Sequence, residues 1–221
     1  MTTPSTALVS LRDRYIAAQL RGDRREAVRL VAEEGLRDGV TVASLQEHVI
    51  QAAQREIGRL WQENAITVAQ EHMATAISNL ALAQLFERAT AEPRNGKRIL
   101  VACVEGELHE FPARLVADAL DLAGFEVRFI GASVPSDHLL RMIASDRPDL
   151  VAISATMSFH GPALRALVAR IRHEHRELPI SVGGGATVWL QGITLDADTS
   201  ARTAGELVET ARRILKVPVA A

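Results

Sequence analysis

Val101-Ala102-Cys103-Val104-Glu105-Gly106-Glu107-Leu108-His109-Glu110-Phe111-Pro112 is an apolar run that breaks into a short polar loop and then meets a proline. The residues from Ile99 to Val104 predict a buried strand. Pro112 fits the first position of a helix, and Ala113 to Ala123 continues with apolar residues at helical spacing. His109 therefore stands at the carboxyl end of a strand, the edge at which open α/β sheets bind ligands. Gly106 stands alone, with no G-x-G-x-x-G after the strand, so a dinucleotide pyrophosphate is not the expected ligand.

Downstream the same alternation repeats. Strands are predicted at Glu126 to Ile130, Leu150 to Ser154 and Ile180 to Val182, with a weak one about Ala197 to Thr199. Helices are predicted at Ser136 to Ala144, Gly161 to His173 and Ala204 to Leu215, with a short helical stretch near Ala186 to Leu190. Alternation with short links predicts an α/β domain over residues 97–221, a doubly wound five-stranded parallel sheet with helices on both faces. Three strand ends carry small residues: Gly131-Ala132-Ser133-Val134-Pro135, Ser154-Ala155-Thr156 and Gly183-Gly184-Gly185. Together they predict an elongated slot beside one histidine, in which glycines let backbone approach a ligand.

Upstream the period changes. Leu8 to Leu20, Arg24 to Leu36, Val42 to Glu63 and Val68 to Ala89 each place apolar residues at helix-face spacing, which predicts a four-helix bundle over residues 1–92. Glu92-Pro93-Arg94-Asn95-Gly96-Lys97 separates the two patterns and reads as the boundary. Thr67-Val68-Ala69-Gln70 fits a capping box that opens the fourth helix. Trp61 falls in the last turn of the third helix and Glu71-His72 in the first turns of the fourth, so a short reversal brings all three to one end of the bundle. Spacing alone makes Trp61 a core residue and Glu71-His72 a solvated helix start.

Composition narrows the classes further. The chain has 25 basic and 27 acidic residues, so no net field favours nucleic acid, and no local basic patch supplies one. No apolar run is long enough to span a bilayer, and the amino terminus has no signal pattern, so a cytoplasmic protein is expected. Cys103 is the only cysteine, which excludes an internal disulfide and a cysteine-clustered zinc site. His48, His138, His160, His173 and His175 read as isolated surface or satisfied side chains.

A helical bundle followed by Glu107-x-His109, Ser154-x-Thr156 and Gly183-Gly184 after successive strands resembles the cobalamin-binding module of methionine synthase and its relatives, whose pattern is D-x-H-x-x-G, S-x-L and G-G. The resemblance implies a flavodoxin-like sheet and cobalt in cobalamin as the metal, with His109 as its lower ligand and Glu107 orienting the imidazole. Ser154, Thr156, Gly183 and Gly184, with Val134 and Pro135, would line the slot for the nucleotide tail. Glu107 replaces Asp, Thr156 replaces Leu and Pro112 replaces the motif's last Gly.

Trp61, nine intervening residues and Glu71-His72 resemble the W-x9-E-H signature of light-sensing cobalamin-dependent transcription regulators. That resemblance implies that these three residues cover the upper face of adenosylcobalamin, in a protein without the DNA-binding domain that usually precedes the bundle. Gln62 stands where some of these regulators carry a histidine. The expectation is a stand-alone sensor, not an enzyme, with cobalamin, a protein such as a transcription regulator and a second copy of the chain as partners. Direct nucleic-acid and membrane partners are not expected. A corrinoid methyl-carrier subunit of a methyltransferase system is the alternative.

Overall fold

The computed structural model describes residues 4–189 and 195–218. The chain divides into two compact units between Thr90 and Ala91.

The first unit is helical. Helix α1 (Thr6–Leu20) starts at Ser5, whose side chain accepts the Leu8 amide, and α2 (Arg24–Arg29) starts at Asp23, which accepts the Glu26 amide. A π-helical turn (Leu30–Glu34) extends α2. Another (Gln46–Gln51) joins α3 (Val42–Leu45) to α4 (Ala52–Gln62). Neither is visible in a 3.6-residue apolar pattern, which reads straight through a single wider turn. Helix α5 (Val68–Arg88) opens with the full capping box: the Thr67 side chain accepts the Gln70 amide and the Gln70 side chain accepts the Thr67 amide. The core of this unit is mostly aliphatic, yet Tyr15 and Gln19 of α1 and Ser78 of α5 are fully buried. Gln19 Nε2 donates to the Ala74 carbonyl and to Ser78 Oγ, and Ser78 Oγ lies 2.9 Å from the Tyr15 hydroxyl.

The second unit is an α/β domain. Strands β1 (Arg98–Cys103), β2 (Glu126–Gly131), β3 (Leu150–Ser154), β4 (Ile180–Gly183) and β5 (Thr199–Ala201) form one parallel sheet in the order β2-β1-β3-β4-β5. This is the flavodoxin-like order, and it reverses between β1 and β3, where the loops leave in opposite directions and open a crevice. Helices α6 (Phe111–Leu122) and α10 (Ala204–Leu215) share a core with Ile99, Val101, Leu150 and Ala152 on one face. Helices α7 (Ser136–Asp146) and α8 (Gly161–Glu174) share the other with Leu100, Val151, Ile153 and Val182, joined by Ala186 of α9 (Ala186–Trp189). Among the described residues no helix is long and apolar enough to cross a membrane.

Several expected bounds shift. Phe111 heads α6 and Pro112 follows it. Strand β5 begins two residues later than expected, because Asp198 ends the approach: its side chain accepts the Ile180 amide and Arg172, and its own amide donates to the Ile180 carbonyl. Leu190, the expected end of the short helix, lies outside the described residues. The polar stretch at 92–97 is fastened to the second unit. Arg94 Nη1 donates to Asp121 and to the Phe125 carbonyl, and Arg212 pairs with Glu92 at 2.6 Å.

Candidate functional site

Three loops leave the carboxyl edge of the sheet around β1, and Glu107 ties them together. Its side chain is fully buried. Oε1 accepts the His109 amide at 2.9 Å and the His109 Nδ1–H at 2.6 Å. Oε2 accepts the amides of Thr156 at 2.7 Å and Met157 at 3.0 Å, both from the loop after β3. From the loop after β2, the Ser133 amide donates to the Glu107 carbonyl and Ser133 Oγ accepts the Gly106 amide. Glu105 completes the stitching by accepting the amide and hydroxyl of Ser136, both at 3.0 Å.

This arrangement decides the charge and the tautomer. Burial by itself pushes the Glu107 carboxyl up, but hydrogen bonds from the His109 ring, the Met157 amide, the His109 amide and the Thr156 amide outweigh it and hold the pKa at about 2. A carboxylate can only accept, so the hydrogen of the neutral imidazole sits on Nδ1 and the lone pair is on Nε2. The His109 side chain is 40% exposed. A loop histidine with a half-exposed ring, oriented by a buried carboxylate, is equipped to give a metal one nitrogen.

The crevice also contains a residue that the sequence leaves unconnected. His160 reads as isolated, but its side chain is only 12% exposed and its Nε2 lies 3.8 Å from Glu107 Oε2. Its ring packs on Phe159 with centroids 4.3 Å apart, and a Cβ at Gly106 would press on its Cε1 at 3.2 Å. Leu108 and Phe159 are large apolar side chains left exposed beside these two histidines. Fifty-odd residues separate His160 from Glu107 in the chain, and only the parallel pairing of β1 with β3 brings their loops together.

Ser154 ends β3, is 7% exposed, and its Oγ has no hydrogen-bond partner among the described residues. Thr156 Oγ1 is also buried and unpartnered, while its amide serves Glu107. Val134 is buried in the core under α7 and α8, and Pro135 immediately precedes α7. Gly184 has φ +91, and a Cβ there would collide with the backbone of Ala155. The glycine thus lets the β4 loop lie directly against the β3 loop, where a bare approach to a ligand is the simpler reading of the sequence. Buried hydroxyls left unpaired are costly. Two of them at the end of β3, on a loop that also donates to Glu107, fit a ligand that brings polar atoms of its own.

In the first unit, Trp61 lies in the last turn of α4 and Glu71 and His72 in the first turns of α5, joined by a reversal in which the Ala65 amide donates to the Leu60 carbonyl. His72 Nδ1 donates to Glu71 Oε2 at 2.5 Å, and Thr75 Oγ1 donates to Glu71 Oε1. Gln54 Nε2 donates in turn to Thr75 Oγ1. Glu71 is thereby a positioned carboxylate, with the His72 ring 71% exposed beyond it.

The profile of a family described as B12 binding domain matches residues 97–215, and a second profile with the same description matches residues 11–86. A dimethylamine corrinoid protein of Methanosarcina acetivorans is 25% identical over 197 residues, 87% of this chain and 92% of that protein. The HTH-type transcriptional repressor CarH of Myxococcus xanthus is 32% identical over 133 residues, 59% of this chain and 44% of that protein. The solved structure of a Methanosarcina barkeri monomethylamine corrinoid protein has a TM-score of 0.82 at 19% identity, covering 93% of this chain and 99% of that one.

Proposed function

The chain belongs to the B12-binding domain family and binds a corrinoid, and from that premise we propose that it is a methyl-carrying corrinoid subunit that works between methyltransferases and catalyses no reaction alone. The observation that carries the reading at the metal is the grip of buried Glu107 on His109 Nδ1. It presents Nε2 as one nitrogen donor, which suits a cobalt already held by a macrocycle. Bound corrinoid supplies a cobalt that accepts a methyl group from one substrate and yields it to another. Ser154 and Thr156 offer their unpartnered hydroxyls to the displaced nucleotide tail, with Gly183 and Gly184 forming the adjoining corner.

The match to a corrinoid protein named for a methylated amine runs through both units and nearly the whole of that relative, which supports carrier over sensor. The sensor expected from Trp61, Glu71 and His72 rests on the W-x9-E-H spacing and on the higher but shorter identity to the repressor. In that second reading Trp61 contacts a 5′-deoxyadenosyl group, and the partner is a regulator instead of a methyltransferase.

The two readings part on one comparison. In darkness, the carrier holds methylcobalamin at least as tightly as adenosylcobalamin, and Trp61→Ala leaves their ratio nearly unchanged. Green light then leaves the scattering profile and oligomer mass as they were. A sensor prefers adenosylcobalamin and loses about a hundredfold of that affinity when the Trp61 ring no longer covers the adenosyl group. Such a loss, with a light-dependent change in mass, would overturn the carrier.

A further inference from the structure

The face of the sheet that carries Ser154 carries a second orphaned hydroxyl. Side chains alternate along a strand. Ile180 and Val182 of β4 belong to the core beneath α7 and α8, so Ser181 projects to the opposite face. Ala152 of β3 belongs to the core on that opposite face, so Ser154 projects there too. Ser181 is 1% exposed, and its Oγ, like that of Ser154, has no partner among the described residues. Ser154 pairs in register with Gly183 and Ala152 with Ser181. Ser181 is thus one strand over and two residues further from the carboxyl edge, about 7 Å deeper along the strands. Its neighbours in register are Ala152 on β3 and Thr199 on β5, and the core on this face includes the small side chains of Ala117, Ala201 and Ala211.

We propose that Ser181 reads the lower base of the corrinoid and selects one whose outer edge can form hydrogen bonds, such as adenine, over dimethylbenzimidazole. This rests on the reading above, in which the nucleotide tail enters past Ser154. The base is the far end of that tail, so the deeper hydroxyl faces its outer edge. A serine hydroxyl donates one hydrogen bond and accepts others. Adenine offers it a ring nitrogen and an exocyclic amine. Dimethylbenzimidazole offers two methyl groups and leaves the buried hydroxyl unpaired.

The test measures dissociation constants of the full chain for cobalamin, its adenine-based analogue and cobinamide, which has no nucleotide, for wild type and Ser181→Ala. Wild type is expected to hold the adenine form roughly tenfold more tightly than cobalamin, the worth of about one neutral hydrogen bond. Ser181→Ala brings that ratio to near one and leaves cobinamide binding unchanged. The variant without corrinoid melts no lower than wild type, since it loses only an unpaired group. A ratio that is the same in both proteins overturns the assignment, as does a lower melting temperature, which would mean that the hydroxyl has a structural partner. If wild type binds none of the three, the corrinoid reading itself fails and this one falls with it.

Discussion

His109→Ala is expected to leave a folded protein that holds cobinamide at least roughly a hundredfold more weakly, beyond the ten- to hundredfold usual for losing an outer hydrogen-bond partner of a metal ligand. Folding survives because the ring is 40% exposed. Cobinamide is the informative probe, since it has no base of its own to replace the imidazole. In wild type, the electron paramagnetic resonance spectrum of its reduced cobalt(II) form should carry splitting from one protein nitrogen. That splitting disappears in the variant. Splitting that persists in His109→Ala would reassign the lower ligand, with His160, the other imidazole near Glu107, as the first residue to replace next.

Glu107→Gln acts on two quantities at once. An amide in place of the carboxylate cannot accept all of the hydrogen bonds from His109, Thr156 and Met157, because its nitrogen is a donor facing donors. Corrinoid affinity should fall ten- to a hundredfold, in the range roughly typical of such partners. Stability without corrinoid should change with pH. The folded pKa of about 2 lies below the ordinary 4.5, so the carboxylate's contribution is whole above pH 4.5 and is lost as pH falls toward 2. It amounts to about 3 kcal/mol. Urea unfolding at pH 7 and pH 3 should therefore show a steeper acid loss in wild type than in Glu107→Gln. Equal slopes would mean that the buried carboxylate does not contribute in this way.

Much of the α/β unit is legible because each strand and helix is short, bounded by Gly, Pro or Asp, and apolar at one period. Ala204 to Leu215 is read with both ends right, since Thr203 caps it and the apolar face is clean. The capping box at Thr67 is equally plain, as it depends only on local spacing. The Glu107–His109 contact follows from two residues in one loop. What stays hidden depends on other strands. His160 reaches Glu107 through the β1–β3 pairing, and the orphaned hydroxyl of Ser181 is apparent only when its neighbours are in place. The π-helical turns are hidden for a different reason: one wider turn barely perturbs an apolar stripe.

The convergence of loops on Glu107 also bears on how a ligand arrives. The amides of His109, Thr156 and Met157 all end on one buried carboxylate, and the Ser133 amide holds the same residue's carbonyl. Moving the loop after β3 away leaves the charge without two of its donors, and moving the loop after β2 leaves the carbonyl without its own, so the cost of opening falls on the whole group and its members move together or stay. This end of the α/β domain therefore behaves as a socket already set before anything enters it. Little ordering entropy remains to be lost on association. Differences in affinity among corrinoids should accordingly reside in how slowly they leave, with arrival rates nearly alike.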